Sequence, residues 1–569
     1  MTEQSRTTKQ SDEGSELVFV ALGGLGEIGM NVYLYGLGPP DDRQWLMVDL
    51  GITFPGDEEP GVDVVLPDLQ FIRGERSSLA GIVITHVHED HIGAVIELWS
   101  GLGAPVYATP FTAGMLKAKL AEFGSGKRPK LNEVKLGSRF RAGPFDVELV
   151  SMSHSIPETS GLAIRTPHGL VFHTSDFKLD PAPLVGGGTD EDKIKALGKE
   201  GVTAVVCDST NAFRDGTSPS ETEVAKSLAG IIAAAPRRVI ITTFASNVAR
   251  IRAVSDAAKA AGRKLVVAGR ALHRVIQVAI DTGYLPEDFE YVGPEHYKFL
   301  PPRECLALVT GSQGEPRAAM ARMALGEHRE LEAAEGDLVI YSSRMIPGNE
   351  KGILAIQNRL AAMGCTVMTD ADALVHVTGH PRREELRQLF EWTRPKVLVP
   401  MHGEVRHLKE NARLARLAGI SDVPSVQNGE LVVLAPGPSR VVDEVPVGRY
   451  YRDGRLIIAE GEGSVRERRK LSMVGLVAVA IALGPRGEVL GDIDVALDGV
   501  PEEDADGELM EDIVLDAVDG TLDSMPVRRR LDVEMLRDAV RRSVRAAVDR
   551  VWGKKPIVKV LINVARSGR

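Results

Sequence analysis

The sequence is poor in cysteine and in long hydrophobic runs. It has three cysteines, Cys207, Cys305 and Cys365, which lie far apart without a CxxC pair. This spacing excludes a disulfide framework and suits a reducing cytoplasm. The longest apolar stretch, Leu471 to Leu483, is shorter than the ~20 residues that a membrane helix requires. We therefore expect a cytoplasmic protein that makes no membrane contact, and the polar composition of residues 1–16 predicts a disordered tail without a signal peptide.

The chain also lacks an excess of positive charge. Its net charge is −11, which weighs against a polyanionic substrate. Net charge is a weak guide, however, because a local basic groove or a bound metal can dominate the field around a site. The charge therefore does not exclude nucleic acid as a substrate.

The length of 569 residues exceeds what one hydrophobic core supports, so we expect two to four domains. Strand-like runs dominate the first part of the chain. Ser220 and Glu223 form a predicted capping box that starts a helix, and strands and helices then alternate up to about residue 380. The charged run 466–470 is typical of a linker, and a small unit follows it.

The most informative motif is His-Val-His-Glu-Asp-His at residues 86–91. It lies between a predicted buried strand at 82–85 and a predicted helix at 92–99, the strand edge at which open α/β sheets hold their sites. Imidazole and carboxylate groups at such a position are costly unless a metal or a partner satisfies them. His86, His88, Asp90 and His91 therefore predict a metal site.

A two-metal centre needs roughly six or seven donors, so further ligands must come from elsewhere. His154, Asp176 and His402 each follow an apolar strand and can project from the same sheet edge. Each could also be a loop residue with a local hydrogen bond, and it is their joint placement that favours ligation. The nitrogen and oxygen donor set, without thiolate, suits zinc best, with manganese or magnesium as alternatives.

The glycine motif at residues 24–29 matches GxGxxG and follows a predicted strand. A dinucleotide site requires a helix directly after such glycines. Residues 31–35 are instead β-branched and aromatic, which is typical of a strand. We predict a strand-turn-strand unit whose glycines let the backbone approach the metal site closely.

Together these motifs resemble the metallo-β-lactamase fold and its nucleic-acid-processing β-CASP branch. The matching positions are Asp49, the 86–91 cluster, His154, Asp176, Asp208, His380 and His402. Segments 23–31, 311–316, 346–350 and 401–404 are similar to those of the ribonuclease J family, and the likeness extends over roughly residues 15–569.

The resemblance implies an α/β protein: a metallo-β-lactamase αββα sandwich, an inserted doubly wound β-CASP domain and a small α+β C-terminal domain. The expected divisions are a tail at 1–16, the sandwich at 17–220 and 381–455, the β-CASP domain at 221–380, a linker at 456–470 and the C-terminal domain at 471–569.

The resemblance also implies residue roles. His86, His88 and His154 would hold one zinc ion, Asp90, His91 and His402 a second, and Asp176 would bridge them. Four residues would serve catalysis. Asp49 would orient a ligand histidine, His380 would assist leaving-group protonation or substrate positioning, and Asp208 would orient His380 or close the site. Asp90 itself is the fourth. The expected phosphate-binding residues are Ser342, Ser343, Arg344, His376, Thr378 and Gly379.

The implied function is a two-metal ribonuclease acting in RNA maturation and decay. It would be a 5′-to-3′ exonuclease favouring 5′-monophosphate ends, with additional endonuclease activity on single-stranded RNA. The family also implies a homodimer or homotetramer formed through the C-terminal domain and a place in an RNA degradation assembly. Three alternatives are a small-molecule ester or thioester metallohydrolase, a non-catalytic RNA-binding subunit and a DNA nuclease of the same branch.

Overall fold

The computed structural model describes residues 14–123, 128–346 and 348–565. Most of the expected tail, residues 1–13, lies outside this range, and Glu16 already belongs to the first strand. The chain divides into two compact units. One comprises residues up to Phe54 together with Val65–Tyr450, and the other comprises Pro55–Val64 and the residues from Tyr451 onward.

The first part of the chain is mainly β-structure. Its strands are β1 (Glu16–Gly23), β2 (Leu25–Gly26), β3 (Val32–Gly38), β4 (Gln44–Val48), β5 (Val64–Pro67), β6 (Leu79–Val83), β7 (Val106–Ala108), β8 (Leu131–Glu133), β9 (Arg139–Ala142), β10 (Phe145–Ser151), β11 (Ser160–Thr166), β12 (Gly169–His173) and β13 (Val202–Asp208). Its helices are α1 (Gln70–Gly74), α2 (Glu89–Ile92), α3 (Val95–Leu102), α4 (Pro110–Glu122) and α5 (Glu191–Glu200).

Alternating helices and strands follow, and the chain then returns to the first sheets. The alternating part contains α6 (Glu221–Ala234), β14 (Val239–Thr242), α7 (Val248–Ala260), β15 (Lys264–Ala268), α8 (Arg270–Asp281), β16 (Cys305–Val309), α9 (Ala319–Ala324), β17 (Leu338–Tyr341), α10 (Glu350–Ala362) and β18 (Thr366–Met368). The returning part contains α11 (Arg383–Thr393), β19 (Val397–Met401), β20 (Gly403–Glu404), α12 (Val405–Leu417), β21 (Glu430–Ala435) and β22 (Arg440–Glu444).

Two sheets form the expected sandwich. One has the order β22-β21-β1-β3-β4-β6-β7-β8 and the other β19-β13-β12-β11-β10-β9. Apolar side chains from both sheets share one core, with Phe19 and Tyr35 from the first and Leu162 and Val171 from the second. A second core covers the outer face of the six-stranded sheet with side chains of α5, α11 and α12. These layers confirm the expected metallo-β-lactamase architecture.

The candidate ligands follow strands whose carboxyl ends meet at one edge. β4 and β6 run parallel, so Asp49 and the 86–91 cluster leave the same end of the first sheet. β12, β13 and β19 also run parallel to one another, so Asp176 and His402 leave the same end of the second sheet. Strand direction therefore brings together residues that are more than 300 positions apart in the chain.

The insertion is a parallel sheet of order β15-β16-β14-β17-β18. Helices α6, α7 and α8 contribute to a core on one face, and α9 and α10 contribute to a core on the other. Helix α6 begins with the predicted capping box, in which Ser220 and Glu223 each bond the other's backbone. Parallel strands covered on both faces confirm the doubly wound domain.

The remaining elements belong to the C-terminal part of the chain: β23 (Arg449–Asp453), β24 (Leu456–Ala459), α13 (Gly463–Val474), β25 (Leu476–Leu483), β26 (Asp494–Asp498), α14 (Met510–Ser524), α15 (Val533–Trp552) and β27 (Ile557–Val564). Alternate residues of β25 are buried, and this face packs with α14 and α15. The stretch 456–470, expected as a linker, contains β24 and most of α13. Its charged run is the solvated face of a helix that buries Val465.

A buried ion network joins the sandwich to the insertion. Arg250, which is fully buried, donates to Glu221 at 2.8 Å, to the Val375 carbonyl at 2.6 Å and to the Ser342 hydroxyl. Lys178 of the sandwich lies 3.9 Å from the other oxygen of Glu221. Because buried charges are costly without partners, this network fixes how the insertion is seated on the sandwich.

Within the described ranges, no helix is both long enough and apolar enough to cross a membrane.

We predict that Arg250→Ala destabilises the protein by about 3–5 kcal/mol, because it leaves the buried Glu221 carboxylate without its main partner. The measurement is thermal or urea unfolding followed by circular dichroism. Arg252→Ala is the matched control, since Arg252 lies on the same helix in a partly exposed pair with Asp256. The control should change stability by less than about 0.5 kcal/mol. Equal effects of the two substitutions would contradict a structural role for the network.

Candidate metal centre

The first group of converging donors contains His86, His88, His154 and Asp176. The His88 Nδ1 atom lies 3.2 Å from His86 Nε2 and 3.0 Å from His154 Nε2. The Asp176 Oδ2 atom lies 3.7 Å from His86 Nε2 and 3.9 Å from His154 Nε2. Three ring nitrogens and one carboxylate oxygen thus face a common point.

The second group contains Asp90, His91, His402 and again Asp176. The Asp90 Oδ2 atom lies 3.1 Å from His402 Nε2 and 3.6 Å from His91 Nε2. The Asp176 Oδ2 atom lies 3.3 Å from His91 Nε2 and 3.5 Å from His402 Nε2. One oxygen of Asp176 therefore belongs to both groups, and all seven predicted ligands are brought together.

These distances fit metal coordination. Donors held tetrahedrally at about 2.0–2.2 Å from one zinc ion lie roughly 3.3–3.6 Å from each other. The Asp176 Oδ1 atom is buried and has no hydrogen-bond partner among the described residues. A buried carboxylate oxygen without a donor is costly, and a cation supplies the missing interaction. The residues present therefore fit a metal centre.

Each ligand ring is oriented by a contact on its other nitrogen. His91 Nδ1 lies 2.7 Å from Asp49, and His154 Nδ1 lies 2.7 Å from the Gly379 carbonyl. His402 Nδ1 lies 2.9 Å from the Thr210 hydroxyl. Asp49 also accepts hydrogen bonds from the backbone and hydroxyl of Thr85, which fix its carboxylate. Such outer contacts select the tautomer and aim the free nitrogen at the metal.

The backbone is strained at the ends of the strands that carry the site. Asp49, Ser175 and His402 adopt φ values of 63°, 56° and 51°, a left-handed conformation that side chains other than glycine rarely adopt. Each lies directly after a strand or one residue beyond it. The strain is therefore concentrated where the loops turn their donors toward the site.

Burial and neighbouring charge divide the imidazoles into two classes. Burial lowers the pKa of His88 to about 4 and holds the pKa of His86 well below its usual value. Burial also disfavours the His402 imidazolium, but the Asp176 and Asp90 carboxylates outweigh it and raise the pKa of His402 to about 9. The first group thus presents neutral rings, whereas the second pairs its rings with carboxylates.

His380 stands beside the second group. Its Nδ1 lies 2.8 Å from the Asp208 carboxylate and 3.9 Å from Asp176 Oδ2. Burial opposes its imidazolium, but Asp208 and Asp176 raise the pKa of His380 above its usual value. His380, Asp208 and His402 form a third convergent group at the junction of insertion and sandwich.

The expected phosphate-binding residues lie in different environments in the structure. Arg344 donates to Asn211 at 3.0 Å, and Asn211 in turn donates to the Thr378 hydroxyl at 2.9 Å, which keeps both beside His380. The Gly379 carbonyl is engaged by His154. Ser342 is different, because its fully buried hydroxyl bonds Arg250 and the Val375 carbonyl. Its side chain therefore has a structural role, which corrects the expectation of a phosphate contact.

Two further expected residues stay near this region. Ser343 is nearly fully buried at the end of β17. His376 is half-buried, and its Nδ1 atom has no hydrogen-bond partner in the described structure. Burial, followed by the charges of Arg250, Lys178 and Arg344, holds the pKa of His376 well below its usual value.

Sequence reasoning assigned no role to Asn31, Thr210 and Asn211, although all three contact site residues. The Asn31 side-chain amide lies 3.1 Å from both the Asp90 carbonyl and His91 Nε2. Thr210 supports His402, and Asn211 links Arg344 to Thr378. The sequence feature that could have identified Thr210 and Asn211 is their position in the loop just after the strand that ends at Asp208.

The glycine motif lies between β1 and β3, as predicted, and is not followed by a helix. Gly24 has φ +90°, and a Cβ there would lie 2.5 Å from Asn31 Oδ1 and 2.4 Å from the Tyr33 hydroxyl. The glycine therefore allows the turn to pack on Asn31, which itself contacts Asp90.

Four family models match the chain. They are described as a beta-lactamase superfamily domain at residues 59–196, a ribonuclease J beta-CASP domain at 236–360, a Zn-dependent metallo-hydrolase RNA specificity domain at 366–423 and a ribonuclease J C-terminal domain at 463–564.

Relatives match over nearly the whole chain. The ribonuclease J of Sinorhizobium meliloti is 52% identical over 97% of this chain and 98% of its own length. The ribonuclease J of Thermus thermophilus is 35% identical over 95% and 94%, and ribonuclease J2 of Bacillus subtilis is 36% identical over 82% and 83%. A solved structure of an Enterococcus faecalis protein of unknown function covers 74% of this chain with a TM-score of 0.51 at 16% identity, which supports the fold.

We predict that Asp49→Asn lowers metal affinity by about 10–100-fold, because an amide has one accepting oxygen for the three donors that Asp49 now serves, and the substitution removes the negative charge beside His91. Competition against a chelating dye measures this affinity. Asp146→Asn is the control, since Asp146 pairs with Arg139 at the surface. Unchanged affinity in Asp49→Asn, with an unchanged unfolding midpoint, would show that Asp49 does not support the site.

Proposed function

This chain belongs to the ribonuclease J family of RNA-processing, metal-dependent nucleases, and we propose that it is a 5′-to-3′ exonuclease that favours 5′-monophosphorylated RNA. Endonucleolytic cleavage is a second mode, and RNA maturation and decay are its setting. The convergence of seven ligand residues with His380 beside them carries this proposal. Because all seven ligand residues are present and converge, the chain is not expected to be an inactive paralogue.

We propose that the two groups of donors hold two zinc ions, with Asp176 shared between them. Nitrogen and oxygen donors without thiolate suit zinc, and manganese or magnesium would suit the carboxylate-rich second group. Bound ions would supply a water of lowered pKa and stabilise negative charge on the phosphate. The protein's contribution is to hold five rings and two carboxylates in fixed orientation through Asp49, Thr210 and the Gly379 carbonyl.

We propose that His380 protonates the leaving group. Its Nδ1 is engaged by Asp208, which leaves Nε2 as the nitrogen that can face a substrate. A ring held in this way can donate a proton to the departing 3′ oxygen, while Asp208 stabilises the charged ring. Asp208 is itself fixed by the backbone N–H of Thr210 at 2.9 Å.

The 5′-phosphate would be bound near Arg344. Burial, followed by the charge of the neighbouring Arg214, lowers the pKa of the Arg344 guanidinium. A guanidinium can donate two parallel hydrogen bonds to a pair of phosphate oxygens, and Asn211 connects Arg344 to the Thr378 hydroxyl. We propose Thr378, Ser343 and His376 as further phosphate contacts. The Ser342 hydroxyl donates a hydrogen bond to the carbonyl of Val375, the residue before His376, and so supports this segment without contacting the phosphate.

We also propose a homodimer or homotetramer formed through the C-terminal domain, within an RNA degradation assembly of the cytoplasm. β27 lies at one edge of its three-stranded sheet, and Leu561 and Val564 are exposed there by 60% and 39%. An exposed apolar edge strand can pair with a second copy of the chain.

We predict mononucleotide release from 5′-monophosphorylated RNA, with much slower cleavage of 5′-triphosphorylated RNA and of matched DNA. The substrates are labelled at the 5′ end and incubated with and without EDTA, which should abolish cleavage by removing the ions. Accumulation of labelled mononucleotide, without intermediate fragments, identifies 5′-to-3′ degradation.

The same panel includes a thioester substrate. Thioester turnover without RNA cleavage would favour the small-molecule hydrolase, and RNA binding without any cleavage would favour a non-catalytic subunit. Equal degradation of DNA would show that the site does not read the 2′-hydroxyl.

We predict that His380→Ala slows RNA cleavage by about 10²–10⁴-fold, the usual contribution of a positioned proton donor. Because His380 is not one of the seven ligands, elemental analysis should still find two metal ions per chain, and RNA affinity should be retained. His296→Ala is the control, since His296 lies on the surface beside Glu295. Loss of metal together with activity would contradict a role for His380 in proton transfer.

A further inference from the structure

A cavity of about 750 Å³, separate from the candidate metal centre, is lined mainly by residues of the β-CASP domain. Loops after three neighbouring parallel strands contribute to its lining: Phe244 follows β14, Gly269 follows β15 and Thr310 follows β16. Its described lining shares no residue with the donor groups around Asp176. Open α/β sheets bind ligands in this place, outside the carboxyl ends of their strands.

The cavity is rich in guanidinium groups. Arg270, Arg274, Arg317 and Arg322 line it, against two carboxylates, Glu122 and Glu315. Glu122 is paired with Arg274 at 2.6 Å. Within the described residues Arg270 and Arg317 form no ion pair, and Arg322 donates only to a backbone carbonyl, that of Glu327. The cavity therefore carries positive charge that the protein does not neutralise.

Two polar groups in the lining are also available to a ligand. Ser312 is 3% exposed and lines the cavity. His328 accepts the backbone N–H groups of Glu330 and Leu331 on Nδ1, at 3.2 and 3.0 Å. Its ring in the neutral form therefore carries hydrogen on Nε2 and can donate. Both side chains can therefore form hydrogen bonds with a ligand that enters the cavity.

Two of the loops that line the cavity pack closely against each other. Gly269 has φ +133°, and a Cβ there would lie 2.4 Å from Thr310 Cγ2. The loops after β15 and β16 can approach each other only because position 269 has no side chain. Gly269 and Thr310 both line the cavity, together with Arg270 at the start of α8.

We propose that this cavity binds the phosphates of a free nucleotide, a nucleoside di- or triphosphate. Guanidinium groups match phosphate oxygens in geometry and charge, and the hydroxyl of Ser312 adds a neutral donor. The volume lies in the range of small-molecule sites. Phe123, 60% exposed, offers a ring on which a base can stack. A polyphosphate concentrates its charge at one place, whereas an RNA strand spreads single charges along its backbone, so three arginines without ion pairs among the described residues, gathered in one cavity, favour the free nucleotide.

ADP binding to the full-length, metal-loaded protein tests the proposal by isothermal titration calorimetry. We expect Arg317→Ala and Arg270→Ala each to weaken ADP binding by at least about tenfold, since each removes a charge-assisted contact. Arg252→Ala, an exposed arginine of the same domain outside the cavity, should bind ADP as the unaltered protein does. Pyrophosphate should compete with ADP, and adenosine should not.

The cavity variants should still cleave RNA, so this site and the nuclease centre can be judged separately. Both substitutions replace unpaired surface arginines, and unchanged unfolding midpoints will show that the variants are folded. The proposal is overturned by absence of ADP binding, or by ADP binding that survives both substitutions and is lost instead in His380→Ala. It is also overturned if Arg317→Ala weakens binding of an RNA oligonucleotide but not of ADP, because the cavity would then belong to an RNA path.

Discussion

The whole site depends on one buried carboxylate. Asp176 Oδ2 lies within 3.3–3.9 Å of ring nitrogens from His86, His91, His154 and His402, which come from three distant parts of the chain. Burial works against this charge, yet the surrounding imidazoles hold the pKa of Asp176 well below its usual value. A carboxylate so placed fits a shared ligand of cations, and the loops around it are strained to reach it.

The insertion contributes directly to the orientation of the candidate metal ligands. The Gly379 carbonyl orients His154, and a Cβ at Gly379 would lie 2.3 Å from the His154 ring, so the segment returning from the insertion fits only as glycine. His380 follows at once and pairs with Asp208 of the sandwich. Behind these contacts, Arg250 and Glu221 fix the seat of the insertion. The placement of the insertion and the geometry of the ligands are therefore coupled.

The same domain presents two kinds of surface. Its junction with the sandwich carries Arg344 and His380 and faces the candidate metal centre. The carboxyl ends of its own parallel strands carry unpaired arginines around a separate cavity. An overall net charge of −11 conceals both, because fields near a site depend on local groups more than on the total. The total charge of the chain therefore does not reveal these two local groups of arginines.

The sequence by itself determined the ligand types, their position after strands and the periodic pattern of the insertion, because these follow from local order along the chain. Residues 86–91 predicted a metal site. Ser220 and Glu223 predicted the start of a helix, which the structure confirms. Only the tertiary structure decided that Ser342 turns into the core, that residues 456–470 are helix and strand, and that Asn31 reaches Asp90. Side-chain direction, burial and contacts between distant loops depend on how the layers pack, and local sequence carries no record of that packing.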